Sequence, residues 1–170
     1  MTYAYRGADG PGGSAFGWTP ADIKLHSGFK PWRSYSLPNT RANLRKLVDD
    51  GTLAVEAGRW CSEKNREDGW FFCVDLNEAI AVRHSLLYLY RFDITDLTQQ
   101  AWTLLGKSDV PEMQLYLDSD DLDTATKIAV VWIGNPEQLL FMSPVGVDLI
   151  DLRIGQNPDV WLPLKDYTGN

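Results

Sequence analysis

Thr19–Trp32 reads TPADIKLHSGFKPW, and its punctuation is that of a short helix set between extended segments. Thr19 is an N-cap, Pro20 takes the first helical position, where a missing N–H costs nothing, and Asp22 completes a capping box by reaching back to the cap. Ile23 and Leu25 are expected to supply the apolar contacts of this helix. Gly28 ends it, because glycine adopts the left-handed conformation of a helix stop, and Phe29 returns the chain to the core.

Upstream, Thr2 to Arg6 alternates and is rich in aromatic residues, which predicts a short strand, followed by a glycine-rich loop from Gly7 to Gly17. Downstream, Lys30 to Pro38 reads as a loop. A second helix is expected, capped by Asn39 or Thr40, with Leu44, Leu47 and Val48 on one face and Gly51 as its stop. Leu53 to Cys61 reads as extended and Ser62 to Gly69 as a charged turn. Trp70 to Val74 reads as a buried strand. Asn77 caps a helix to about Leu86, and Leu87 to Ile94 is a Tyr- and Phe-rich strand. Asp96 to Leu105 reads as a short helix, and Ser108 to Thr124 as a long acid-rich connection.

Lys127 to Ile133 is a continuous β-branched run and the best candidate for a central strand. Leu139 to Met142 and Val147 to Ile154 are further strands, and the tail from about 155 is irregular. Strands interrupted by short helices, without regular alternation, predict an α+β fold rather than a doubly wound parallel sheet. No repeat, low-complexity run or boundary divides residues 1–170, so a single domain is expected.

The 170 residues are 44% hydrophobic and 23% charged, enough apolar surface to offset the entropy of ordering a core. The seven tryptophans are expected to pack core and lid, with a ring-lined cleft as the alternative. A net charge of -7 disfavours nucleic acid as a partner, since phosphate backbones are repelled. The basic residues Arg41, Arg45 and Lys46 of the second helix read as a solvated face. No apolar run approaches bilayer length, so no membrane partner is expected. Met1 to Gly13 is polar and glycine-rich, unlike a leader. Cys61 and Cys73 fit either a hairpin disulfide or two packed thiols. With His26 and His84 as the only histidines, no Cys/His cluster has zinc spacing, and no metal is expected. Fingerprints for dinucleotide binding, phosphate loops and nucleophile elbows are absent from the sequence.

Four segments, in order, resemble the ADP-ribosyltransferases of the heat-labile enterotoxin and pierisin type. The first is YRGADGP together with TPADIKLHSGFKPW, where Ser27, Gly28, Phe29 and Pro31 stand at the family's helix end and following Pro. EDGWFFCVDLNEAIAV is similar to the family's Ser-Thr-Ser strand and the helix after it, and LLYLYRFDI to the strand that follows. TKIAVVWIGNPEQL is similar to the strand and turn that carry the family's catalytic Glu. The match spans roughly Tyr3 to Met142.

The resemblance implies two facing, mostly antiparallel sheets with short helices around an NAD-type cleft. It implies that Arg6, with Gly7 and Asp9, stands where the family binds the cofactor; a guanidinium suits that work because it grips phosphate in a bidentate fork. The alternative for Arg6 is a strand-end arginine paired with an acid such as Asp9. The Ser-Thr-Ser place falls near Phe72, Cys73 and Val74, of which Cys73 is the nearest substitute and a weak hydrogen-bonding group. The Glu place falls on Lys127 and the second acid on Ala125, with Asp123 as the fallback acid. The family breaks a glycosidic bond through an oxocarbenium-like state, and a cation there opposes the chemistry that a carboxylate would assist. The resemblance therefore implies a toxin- or effector-like protein, catalytically degenerate and acting on a host or competitor protein by binding it. It would be secreted or delivered into a host cell, with a cytoplasmic location as the alternative. The second possibility is an active NAD-dependent mono-ADP-ribosyltransferase with a non-standard site, for which NAD would be the cofactor.

Overall fold

A computed structural model describes residues 2–8, 19–29, 36–53, 55–56, 70–73, 87–99, 113–132, 138–155 and 160–169. The expected helix from Asn77, the loop at Asp9, and Cys61 and His84 lie outside these residues. The chain forms two compact units. One comprises Met1–Phe29, Phe72–Thr95 and Val145–Asn170; the other comprises Lys30–Phe71 and Asp96–Pro144. The architecture is α+β, with antiparallel pairing at every described register.

The first unit is built on β1 (Tyr3–Ala8), β4 (Tyr88–Asp93) and β10 (Asp151–Ile154), flanked by β11 (Leu162–Pro163) and by the Phe72–Cys73 end of β3 (Trp70–Cys73), in the order β11-β10-β4-β1-β3. Opposed residues of antiparallel strands share a face, so Arg6, Tyr90 and Leu152 form one row, and Gly7, Leu89 and Arg153 form another on the opposite face. Helix α1 (Pro20–Leu25) carries the expected capping box. The Thr19 hydroxyl accepts from the Asp22 N–H at 3.2 Å, and the Thr19 N–H donates to the Asp22 carboxylate at 3.0 Å. Ile23 is fully buried, but Leu25 is 79% exposed, because a six-residue helix turns only one narrow face inward.

The helix ends through Ser27 and Gly28, both with positive φ (62° and 122°), and enters β2 (Gly28–Phe29), which pairs with β9 (Val145–Gly146). A Cβ on Gly28 would lie 2.0 Å from the Val145 carbonyl oxygen, so the close backbone approach requires glycine. Phe29 is buried edge-on to Tyr90 at 5.7 Å between ring centroids. Beyond β9, a 3-10 turn (Val147–Leu149) occupies the start of the expected strand Val147–Ile154. In the tail, expected to be irregular, residues 160–169 carry regular elements: β11 pairs with β10, and a 3-10 turn follows over Leu164–Asp166, anchored by the buried Leu164.

The second unit pairs β5 (Thr98–Gln99), β6 (Met113–Leu117), β7 (Ile128–Trp132) and β8 (Gln138–Phe141) in that order. Helix α2 (Leu37–Asp49) begins one turn earlier than expected. Ser36 is the N-cap, accepting from the Asn39 N–H at 3.3 Å, and Pro38 lies in the first turn, where its missing donor is harmless. Leu44, Leu53, Leu115, Leu117, Leu122, Ile128, Val130 and Leu140 share one core with α2. Leu53 enters it from a helical turn, not from an extended segment: the Glu56 N–H bonds the Thr52 carbonyl at 3.1 Å. β5 lies inside the expected helix Asp96–Leu105, and β6 inside the expected connection Ser108–Thr124. In β6 the alternation of buried Leu115 and Leu117 with half-buried Gln114 and Tyr116 is the strand signal that the neighbouring acids obscure.

Candidate functional site

Arg6 sits in β1, 5% exposed, opposite Tyr90 of β4. Burial pushes the Tyr90 hydroxyl well above its ordinary range. The neighbouring Tyr88 and Asp22 add to this rise, and the Arg6 cation opposes it. Arg6 therefore lies within electrostatic reach of Tyr90 on the strand face that bears it. Gly7, buried in the same strand, is opposite Leu89. Cys73 ends β3, opposite Tyr5 of β1, so the structure brings the strand of Arg6 and Gly7 beside the strand of Cys73. Asp9 lies outside the described residues.

Lys127 and Asp123 belong to the second unit, in the connection between β6 and β7. Asp118 organises that connection. Its carboxylate accepts the Thr126 N–H at 2.8 Å, the Lys127 N–H at 3.0 Å and the Thr126 hydroxyl. Partial burial alone would raise its pKa, but these hydrogen bonds, with the Thr126 side chain foremost, hold the carboxyl below the ordinary range. The Lys127 ammonium donates to both oxygens of Asp96 at 2.9 Å.

Asp123 is spent differently. Its carboxylate and that of Asp121 each meet Arg45 of α2 at 3.3 Å, while the Asp121 carboxylate also accepts the Asp123 N–H at 3.0 Å. Arg41 of the same helix donates through Nε to the Ala125 carbonyl at 2.8 Å. The basic face of α2, which the sequence presents as solvated, thus binds the acid-rich connection to the helix. Exposed pairs of this kind contribute little stability, on the order of 0–1 kcal/mol each. Their effect is positional, and they commit Asp123 and Lys127 to partners within the chain.

Sequence reasoning missed a cluster on the opposite face of the first unit's sheet, composed of Tyr3, Tyr5, Arg91, Arg153 and Trp161. Its members come from three strands and the segment before β11, so no local spacing announces it. Among the described residues, no three His, Cys, Asp or Glu side chains gather as a metal site, and no helix is long and apolar enough to cross a membrane. Comparison with known proteins finds no family model and no curated relative that matches the chain.

Proposed function

We propose that this chain is a toxin- or effector-like protein with an ADP-ribosyltransferase-type scaffold, catalytically degenerate and acting by binding a host or competitor protein. The observation that carries the proposal is the engagement of Lys127. Where the resemblance places a catalytic carboxylate, the chain has an ammonium held 2.9 Å from both oxygens of Asp96. A fixed cation at that place raises the energy of a developing oxocarbenium, and its ion pair gives it no reason to move away. The carboxylate of the fallback acid Asp123 faces Arg45 of α2 at 3.3 Å.

The buried Arg6 on β1 favours the second reading, an active mono-ADP-ribosyltransferase in which that guanidinium anchors NAD. Calorimetric titration of NAD, with a nicotinamide-release assay on the same sample, separates the two. The degenerate protein releases no nicotinamide above the uncatalysed background. Enzymatic release would overturn the proposal and would require a carboxylate other than Asp123 close to the sugar.

A further inference from the structure

Charged side chains nine-tenths or more buried are held by hydrogen-bonded partners in almost every folded protein, because an unpaired cation away from water is costly. Arg153 departs from that rule. It lies in β10, is 5% exposed, and its Nε is buried with no hydrogen-bond partner among the described residues. Its guanidinium carbon lies 5.8 Å from the Trp161 ring centroid. A cation–π contact of that length does not replace an acceptor in the guanidinium plane, which is where the Nε–H points.

Among the described residues, the rows around Arg153 show why no acceptor meets it. In the next row of the same face, Arg91 stands between Asp151 and Tyr5 in register. The Arg91 Nε donates to the Asp151 carboxylate at 3.0 Å, and its guanidinium lies 4.2 Å from the Tyr3 ring and 4.3 Å from the Trp161 ring. The one carboxylate in these two rows is thus committed to Arg91, and Trp161 is shared by two cations. In the row of Arg153 the opposed residues are Leu89 and Gly7, and neither side chain offers an oxygen. Among the described residues of these two rows there is thus one more positive charge than negative, in a chain whose net charge is -7. Long-range repulsion of anions by that net charge is screened beyond about 8 Å at physiological salt, so the local excess decides what binds.

We propose that Arg153 is the anchor of an oxyanion site on this face, taking a carboxylate or phosphate group of a small molecule. The group receives the Arg153 Nε–H and the neighbouring guanidinium N–H as a fork, and it enters alongside the half-buried Trp161 ring. Arg91 contributes positive potential while keeping its own carboxylate. The site is independent of the proposal about Lys127, since every residue in it belongs to the other unit.

The test is a titration of the full chain with inorganic phosphate and, separately, with acetate, read from the Arg153 Nε–Hε resonance in nitrogen–proton correlation spectra. The resonance is assigned by its loss in Arg153→Met. One of the two anions is expected to move it saturably with a Kd of about 1 mM or tighter, and which one does so identifies the group. Arg153→Lys keeps the charge but removes the planar fork, and should weaken that binding at least about tenfold. Arg153→Met removes a buried cation without a partner, so in anion-free buffer it should unfold at a temperature at least about 2 °C above wild type and gain nothing from added anion. An Nε–Hε signal unmoved by either anion at about 10 mM overturns the proposal whether or not the variants fold. Equal binding by wild type and Arg153→Lys would also overturn it.

Discussion

Removing the Asp118 carboxylate is the most direct way to ask what holds the β6–β7 connection, and with it Lys127, in place. In Asp118→Ala the Thr126 and Lys127 N–H groups and the Thr126 hydroxyl all lose their acceptor. Hydrogen bonds to a charged group contribute about 1.5–3 kcal/mol when well buried. Asp118 is only half-buried, and water can replace part of each bond. We therefore expect about 2 kcal/mol for Asp118→Ala, a drop of roughly 4–8 °C in Tm for a chain of this size. Asp118→Asn keeps a carbonyl acceptor for the two backbone donors but loses the charge and the second oxygen, which accepts the Thr126 hydroxyl, so about 1 kcal/mol is expected.

The pH dependence has a definite sign. The folded carboxyl titrates below the ordinary value of 3.8, so its contribution is complete above that pH and is lost as pH falls through the lower, folded value. Urea unfolding of wild type and Asp118→Asn should differ by a constant amount from pH 7 to about 5, and the difference should shrink below about 4. An equal difference at pH 7 and pH 3, or none at pH 7, would refute the assignment of these bonds to an ionised Asp118.

Two further substitutions test the packing of each unit. Leu44→Ala leaves a cavity under α2 at a fully buried position of the second core, and should cost about 3 kcal/mol in urea unfolding; a cost below about 1 kcal/mol would mean that α2 is not seated on that core. Gly28→Ala forces a Cβ against the Val145 carbonyl at a φ of 122°, and should separate β2 from β9 with a loss of at least about 3 kcal/mol. A Gly28→Ala protein with the wild-type Tm would rule out the close approach.

The elements that were legible in the sequence are those whose signals are local. The capping box of α1 is contained within four residues, and the strand around Tyr90 and the run Ile128–Trp132 announce themselves by β-branched and aromatic content. What failed had competing signals or distant partners. The sequence favours Asn39 or Thr40 as the cap of α2 because Pro38 reads as the end of a loop; in the structure Pro38 belongs to the first turn, and the buried Thr40 donates to the Met142 carbonyl at 3.4 Å. β6 was hidden by the acids that follow it. β11 is a strand only because β10 lies alongside, which no property of Leu162 or Pro163 reveals. The same limit applies to charged residues. Lys127 stood out through the resemblance, but that Asp96 is its partner is a tertiary fact. Arg153 stood out not at all, since an arginine in an alternating strand is expected to point to water.

The two cations illustrate how a chain distinguishes a structural charge from one kept for a ligand. Lys127 lies at the rim of its unit, partly exposed, with a carboxylate at ion-pair distance. Such an exposed pair adds little stability, and it satisfies the ammonium within the chain. Arg153 is the opposite case. It is buried and its Nε is unmatched, so in the absence of a ligand it opposes folding, and a Met of similar length would serve the core better. A residue that weakens its own fold persists where something outside the chain completes it, and strain of this kind collects at functional positions. On that argument, a search for the protein's activity should begin at the face shared by Arg91, Arg153 and Trp161, whose unmet hydrogen bond specifies the chemistry of what it binds, and not at Lys127, whose partner is already in place.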